Sequence, residues 1–197
     1  MQKKVFLFHN IQKVMKKISL VTIALAVFIM AWCTTPVQEN NTDVQKEEKI
    51  TTVSYENKQN KLKLKFPSSR SFKENVYGTT VMFFAPKVAE TTENLWITIK
   101  LIASGANLET LYEENKEILK EIAWEISIEE EKAIKIDNYP AKQIMYSFAQ
   151  ENRSIKQEQI LVIKGENVYM INYTATKETF AIHKKDVDSI IKSISIR

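Results

Sequence analysis

The stretch ILVIKGENVYMINYTATKETF, residues 160–180, decides how this chain folds. Two largely apolar runs, 154–164 and 167–175, lie on either side of Gly165, and glycine with polar neighbours is typical of a tight turn. Because the connection is so short, the two runs are expected to pair as antiparallel strands. A helix is predicted directly after them, with Thr176 as its N-cap.

The predicted final helix carries its apolar residues on one stripe, at spacings of three and four residues. The stripe consists of Phe180, His183, Val187, Ile190 and Ile191. After this helix, 193–196 is predicted to add a short strand.

Three further strands are predicted before this unit, at 125–128, 133–136 and 141–150. The turn Asp137-Asn138-Tyr139-Pro140 separates the last two, and it contains residues that tolerate or preset turn geometry. Short connections again favour antiparallel pairing. The segment 125–128 is short enough that it can also be read as the edge of a loop.

Upstream of these strands, 107–123 is predicted to be a helix, because apolar residues recur there at helical spacing and Asn107 is a suitable N-cap. Two strands are predicted before it, at 79–85 and 95–103. Both are apolar on both faces for most of their length, which indicates a sheet covered on each side.

The first folded element is predicted to be a hairpin of 50–56 and 61–66. Its second strand alternates strictly, so that Lys61, Lys63 and Lys65 share one face. This row could bind phosphate or lipid headgroups. The favoured interpretation is a solvated face that protects a sheet edge from pairing.

The segment before the domain has the features of a secretory signal. Five lysines precede the uncharged run 18–32, which has fifteen residues, too few for a bilayer span and suitable for a signal peptide. The run ends at Cys33, and Met30-Ala31-Trp32-Cys33 resembles the lipobox of bacterial lipoproteins, in which the cysteine receives a lipid. Trp32 departs from that pattern, and Met15 is a candidate true start.

Lipidation of Cys33 is favoured over an uncleaved helix with an incidental cysteine. Residues 33–49 are polar and are predicted to form a flexible tether, with the folded domain at 50–197. The whole chain carries 28 basic and 24 acidic residues. Loss of residues 1–32 removes five lysines and no acid, which leaves 23 basic and 24 acidic residues and argues against nucleic-acid binding.

Several landmarks of the domain resemble the PsbP-like family. They are NKLKLKFPSS (60–69), LETLYEEN (108–115), IKIDNYPAKQIMY (134–146) and ILVIKGENVYMINYTATKETF (160–180). Asn138 stands where relatives usually have glycine, and asparagine is the next best residue for a left-handed turn. The resemblance implies an α+β fold, an α-β-α sandwich in which helices pack on both faces of an antiparallel sheet. It implies binding or assembly and no catalysis.

The residues of the domain suggest no reaction. A catalytic His183 would have to emerge from an apolar helix stripe, so a structural histidine is expected. Metal sites built on histidine and cysteine are excluded by count. An oxygen-ligand site from Glu129, Glu130 and Glu131 with Asp137 is disfavoured, because adjacent strand residues point to opposite faces.

No cofactor or metal is therefore expected, and the two tryptophans of the domain, Trp96 and Trp124, are expected in the core. The sequence predicts an envelope lipoprotein that is held to the membrane by its N-terminal lipid, is not an enzyme and binds a protein partner. The alternative is a lipid- or small-ligand-binding protein, or a hydrolase, with a pocket between sheet and helix.

Overall fold

The computed structural model describes residues 50–85, 93–122, 125–150 and 152–197, which form ten strands and two helices. The strands are β1 Thr52–Asn57, β2 Leu62–Pro67, β3 Ser71–Glu74, β4 Val81–Phe84, β5 Asn94–Leu101, β6 Ser127–Ile136, β7 Tyr139–Gln150, β8 Arg153–Lys164, β9 Asn167–Thr176 and β10 Ser195–Ile196. The helices are α1 Leu108–Ile122 and α2 Phe180–Lys192.

The strands form two sheets, and all of their pairings are antiparallel, as the short connections predicted. The large sheet has the order β3-β4-β5-β9-β8-β7-β6, and the small sheet has the order β1-β2-β10. The fold is therefore a mixed α/β fold dominated by antiparallel sheets with two helices. The predicted pair at residues 160–180 is confirmed, since β8 and β9 lie side by side and lead into α2.

The main core lies where the small sheet and α2 pack on the large sheet. Leu62, Leu64 and Phe66 of β2 are buried, and so are Tyr169 and Tyr173 of β9. They belong to one hydrophobic cluster that includes the buried stripe of α2. Strict alternation in β2 produces this arrangement, because every second side chain points into the cluster.

The predicted hairpin is present, but it does not belong to the main sheet. Its second strand, β2, pairs with β1 on one side and with β10 on the other. The predicted strand at 193–196 thus joins the hairpin to form the small sheet, a long-range pairing that no local sequence pattern encodes.

Two strand predictions were wrong. The predicted runs 125–128 and 133–136 are parts of one strand, β6, which begins only at Ser127 and has an irregular register between Ile128 and Glu130. The charged residues in the middle of β6 do not show the apolar pattern by which strands are recognised, because an edge strand exposes most of its side chains to water. Strand β3 was not predicted, since all four of its side chains are exposed and only Phe72 is apolar.

The helix caps and turns follow local chemistry with one correction. The Asn107 side chain accepts a hydrogen bond from the Glu109 backbone N–H at 2.8 Å, as expected of an N-cap. The N-cap of α2 is Thr179 rather than Thr176, and the Thr176 hydroxyl hydrogen bonds to the Thr179 hydroxyl at 2.9 Å. Asn138 has φ = 68°, the left-handed conformation predicted for it.

Trp96 is buried, as predicted. The predictions for Trp124, the leader 1–32, Cys33 and the tether 33–49 lie outside the described residues. Among the residues that are described, neither helix has the length and apolar character needed to cross a membrane.

Candidate functional site: an ionic cluster beneath α2

Several charged side chains are buried between α2, the large sheet and the segments next to β3 and β5. We call Arg70, Glu93, Glu158, His183 and Lys184 the ionic cluster. Buried ionic groups are rare because they lose hydration, and in many proteins they mark functional sites. This cluster is therefore the place in the described structure where chemistry would be expected.

Tyr173 lies in the middle of the cluster and connects it to the helix. Its hydroxyl donates a hydrogen bond to the backbone carbonyl of Phe180, the first residue of α2, at 2.9 Å. The two aromatic rings are also in contact, with centroids 4.7 Å apart. Burial raises the pKa of Tyr173, and the negative charge of Glu93 raises it further, so the phenol stays protonated.

The first part of the cluster joins a loop to the helix. Arg70 follows β2, and its backbone N–H donates to the carbonyl of Pro67 at 3.0 Å. Its guanidinium lies 2.7 Å from Glu93 Oε1, and the two side chains are 1% and 0% exposed. The other oxygen of Glu93 lies 3.1 Å from His183 Nε2 on α2. Glu93 therefore bridges the Arg70 loop and the helix.

The second part of the cluster joins β8 to the helix. Lys184 Nζ lies 3.2 Å from Glu158 Oε2, and it also pairs with Asp188 one turn later in α2. Gln143 on β7 donates a hydrogen bond to Glu158. Burial raises the pKa of Glu158, and the charge of Lys184 only partly opposes this. Burial alone would lower the pKa of Lys184, but its bonds to Asp188 and Glu158 outweigh that effect and raise it.

The cluster holds α2 in place, and its geometry does not suggest nucleophilic catalysis. His183 is partly buried, as predicted, and its polar contact within the described residues is with Glu93 rather than with a serine, threonine or tyrosine hydroxyl. Glu93 in turn is shared with Arg70. Arg70 is paired with Glu93 and Lys184 with Glu158, so the helix is positioned by specific pairs.

The four carboxylates considered for an oxygen-ligand site are not brought together. Glu129 contacts Ser147 and Lys156, Glu130 pairs with Lys132, and Glu131 binds Tyr112 and Lys116. Asp137 accepts a hydrogen bond from the Ile196 backbone N–H at 2.7 Å. In the described part of the chain, no three histidine, cysteine or acidic side chains are close enough to hold a metal ion.

The row of Lys61, Lys63 and Lys65 lies on the face of β2 opposite the buried Leu62, Leu64 and Phe66. The prediction that this row is a solvated face is confirmed at Lys61 and Lys65, which are exposed. The protective role at a sheet edge that was predicted for it was wrong. Strand β2 is the central strand of the small sheet and is paired on both sides.

Sequence reasoning missed Arg70, Glu93, Glu158 and Lys184. Arg70 and Glu93 lie outside regular strands, where no periodic pattern indicates burial. The burial of Glu158 could have been predicted, because it precedes Ile160 and Val162 by two and four residues in β8. Residues at this spacing lie on the same face of a strand, here the inward face.

The antiparallel sheets and two helices define the class of this protein, the PsbP-like fold. Cyanobacterial PsbP (CyanoP) from Synechocystis is 13% identical, with a TM-score of 0.57 over 79% of this chain and 98% of that one. LpqN of Mycobacterium tuberculosis, which is involved in cell envelope biogenesis, is 13% identical, with a TM-score of 0.59 over 76% and 92%. The Ran-binding protein Mog1p of Saccharomyces cerevisiae is 8% identical, with a TM-score of 0.54 over 75% and 96%.

Within that class the family is defined by sequence. The family model of DcrB matches residues 73–193, more than half of the chain, and the chain belongs to the DcrB family. No curated protein matches it in sequence. The structural neighbours are too distant in sequence to show more than the fold, so the expected resemblance to PsbP-like proteins is confirmed at that level.

Proposed function

We propose that this protein is a lipoprotein of the cell envelope, held to the membrane through a lipid on Cys33, and that its DcrB-family domain binds a protein partner without catalysing a reaction. The observation that carries the proposal is the leader, in which a fifteen-residue uncharged run ends at the only cysteine of the chain. The involvement of LpqN, a protein of similar fold, in cell envelope biogenesis supports the same compartment.

The interior of the domain supports a binding role. The ionic groups beneath α2 are used in internal pairs, and Tyr173 donates its hydroxyl to the backbone of the helix. A rigid domain of this kind offers its outer surfaces for recognition. The proposal therefore places function on the surface of the domain and not in its interior.

We also infer that α1 and α2 cover opposite faces of the large sheet. Gln159 of β8 accepts a hydrogen bond from Asn115 of α1 at 2.5 Å, whereas the preceding residue, Glu158, pairs with Lys184 of α2. Successive strand residues point to opposite faces of a sheet. This arrangement leaves the outer surfaces of both helices free for partner contacts.

The anchor is tested by Cys33→Ser. Removal of the thiol is expected to abolish acylation and, with it, the cleavage before residue 33, because the thiol is the group that accepts the lipid. The variant should therefore keep the run 18–32 and carry no acyl chain. The measurement is fractionation together with the mass of the N-terminal peptide. In the wild type, that peptide should begin at Cys33 and carry acyl chains.

Two results would count against this anchor. One is a wild-type N-terminal peptide that begins at Cys33 but carries no acyl chain. The other is a wild-type N-terminal peptide that still contains 18–32, which would indicate an uncleaved helix in place of a processed signal.

Partner binding is tested by photo-crosslinking in intact cells. Leu101 and Ile182 are 80% and 67% exposed and lie on β5 and α2, so a photoreactive residue at either site should reach a partner on that side. A discrete adduct is expected from at least one of the two positions. Lys135, an exposed residue of the edge strand β6 and not of either helix, is the control position, and an identical adduct pattern there would argue against specific recognition.

A further inference from the structure

The small sheet carries a concentration of positive charge on its outer surface. Lys61, Lys63 and Lys65 line the solvent side of β2. Arg197 joins them, because its backbone N–H donates to the Lys61 carbonyl at 2.9 Å and continues the register that places Ser195 opposite Lys63. We call Lys61, Lys63, Lys65 and Arg197 the basic face.

Side chains of like charge lie next to one another on the basic face. The register makes Lys61 and Arg197 directly opposite each other across two paired strands, an arrangement that is destabilising by itself. The acidic residue of the small sheet on this side is Glu56, which lies opposite Lys63 and 3.5 Å from the Arg197 guanidinium. Asp137 adds a second carboxylate at the edge of this face, because its Oδ2 accepts a hydrogen bond from the Ser195 hydroxyl at 3.3 Å. Two carboxylates do not balance four cations, so the surface attracts an external anion.

Edge protection does not explain these lysines. Charged side chains on an edge strand prevent unwanted pairing, but β2 pairs with β1 on one side and, at Leu62 and Lys63, with β10 on the other. Beyond β10, the backbone N–H and carbonyl of Lys65 are both bonded to the Ser193 hydroxyl. The basic face therefore has a cost in stability and no protective role within the sheet.

Negative charge is concentrated on another part of the domain. Helix α1 exposes Glu109, Glu113, Glu114, Glu117 and Glu121. Three of these carboxylates have lysine partners, since Lys116 pairs with Glu113, Lys120 with Glu117 and Lys142 with Glu109. Since the chain after residue 32 is close to neutral, the basic face results from segregation of charge and not from an overall excess.

We propose that the basic face is the membrane-facing surface of the domain and binds the anionic phospholipid headgroups of the bilayer that holds the lipid anchor. The proposal rests on the proposed function, since it assumes the anchor at Cys33. The chain reaches the small sheet directly from the tether, because β1 begins at Thr52 and pairs with β2. The sequence predicts a flexible tether here, and a flexible chain of sixteen residues, the length of 34–49, reaches roughly 20–25 Å, enough for the face to touch the bilayer.

Charge complementarity selects this occupant. Anionic leaflets attract basic residues by about 1 kcal/mol for each lysine or arginine near the surface, and several basic residues act together. The anchor also raises the local concentration of headgroups, so the second contact is effectively intramolecular. Docking would fix the orientation of the domain and turn the outer surface of α1 and its carboxylates toward other envelope components.

The test uses the full chain purified from membranes with its lipid and reconstituted into two kinds of vesicle. One kind contains phosphatidylcholine alone, and the other also contains phosphatidylglycerol. Ser54→Cys places a fluorescent label beside Lys65, its register partner, and Glu114→Cys places one on α1. Because acylation blocks Cys33, each variant has one thiol to label. Access of a water-soluble quencher reports whether each position is shielded.

The label at position 54 should be shielded on anionic vesicles and accessible on neutral vesicles, whereas position 114 should be accessible on both. K63E/K65E should lower the ratio of docked to free domain by more than about tenfold, because it reverses two charges. K177E/K185E makes the same change in net charge at exposed positions elsewhere and should have little effect. High salt should release the domain as it screens the attraction.

Failure of this inference can be distinguished from failure of the anchor. If the protein floats with both kinds of vesicle and position 54 is equally accessible on each, the anchor stands and the membrane-facing role is overturned. If it does not float with neutral vesicles, or if Cys33 itself takes the label, the anchor is overturned. Equal loss of shielding in K63E/K65E and K177E/K185E would show that only net charge matters, which also overturns the role of the basic face.

Discussion

Replacing Arg70 with methionine is expected to lower the free energy of unfolding by about 3–5 kcal/mol, the range seen when one partner of a buried ion pair is removed. The Glu93 side chain is 0% exposed, so the loss of Arg70 leaves its carboxylate away from water, with the His183 imidazole as its remaining polar neighbour among the described ion pairs. A domain of this size has a total stability of roughly 5–15 kcal/mol, so a large fraction would be lost. Urea denaturation followed by the fluorescence of buried Trp96 measures the change.

A matched variant and a double variant isolate the cause. Arg153 is an exposed arginine at the start of β8, and R153M should change stability by no more than about 0.5 kcal/mol. R70M/E93L removes both charges and should recover most of the loss, because a buried pair can often be replaced by apolar groups at little cost. If R70M is as mild as R153M, the pair does not contribute as the geometry indicates.

Much of the fold could be predicted from local chemistry. The alternation in β2, the turn at Gly165 and the Asn107 cap each depend on a few neighbouring residues, and each is present in the structure. Features that depend on distant residues could not be predicted in this way. The small sheet forms only because 193–196 returns to β2, and that pairing has no local signature.

The candidate site was harder to predict than the fold. Arg70 and Glu93 come from separate loops and meet only because β3 and β5 flank β4 in the sheet. Sequence patterns identify buried apolar residues, whereas a buried charge looks like an ordinary surface residue until its partner is known. The same limit affected the lysine row of β2, whose meaning changed once β2 proved to be a central strand.

Replacing Lys184 with methionine is expected to make the stability of the domain strongly dependent on pH. Glu158 is buried, and Lys184 supplies the positive charge closest to its carboxylate. Burial already raises the pKa of Glu158 above its ordinary value of 4.5, and loss of Lys184 would raise it further. A group whose pKa is higher in the folded state favours folding while it is protonated, and this advantage disappears as the pH rises through its folded pKa.

The destabilisation by K184M should therefore grow as the pH rises from about 5 to about 7. The destabilisation cannot exceed the cost of protonating Glu158, which is about 1.4 kcal/mol for each pH unit above the unfolded pKa. This limit is roughly 3 kcal/mol at pH 7 and less than about 1 kcal/mol at pH 5. Lys185 is the exposed neighbour, and K185M should show no such trend. K184M/E158Q should also lose the pH dependence, because it removes the titrating group. A K184M loss that is the same at both pH values would mean that Lys184 acts through packing and not through the charge of Glu158.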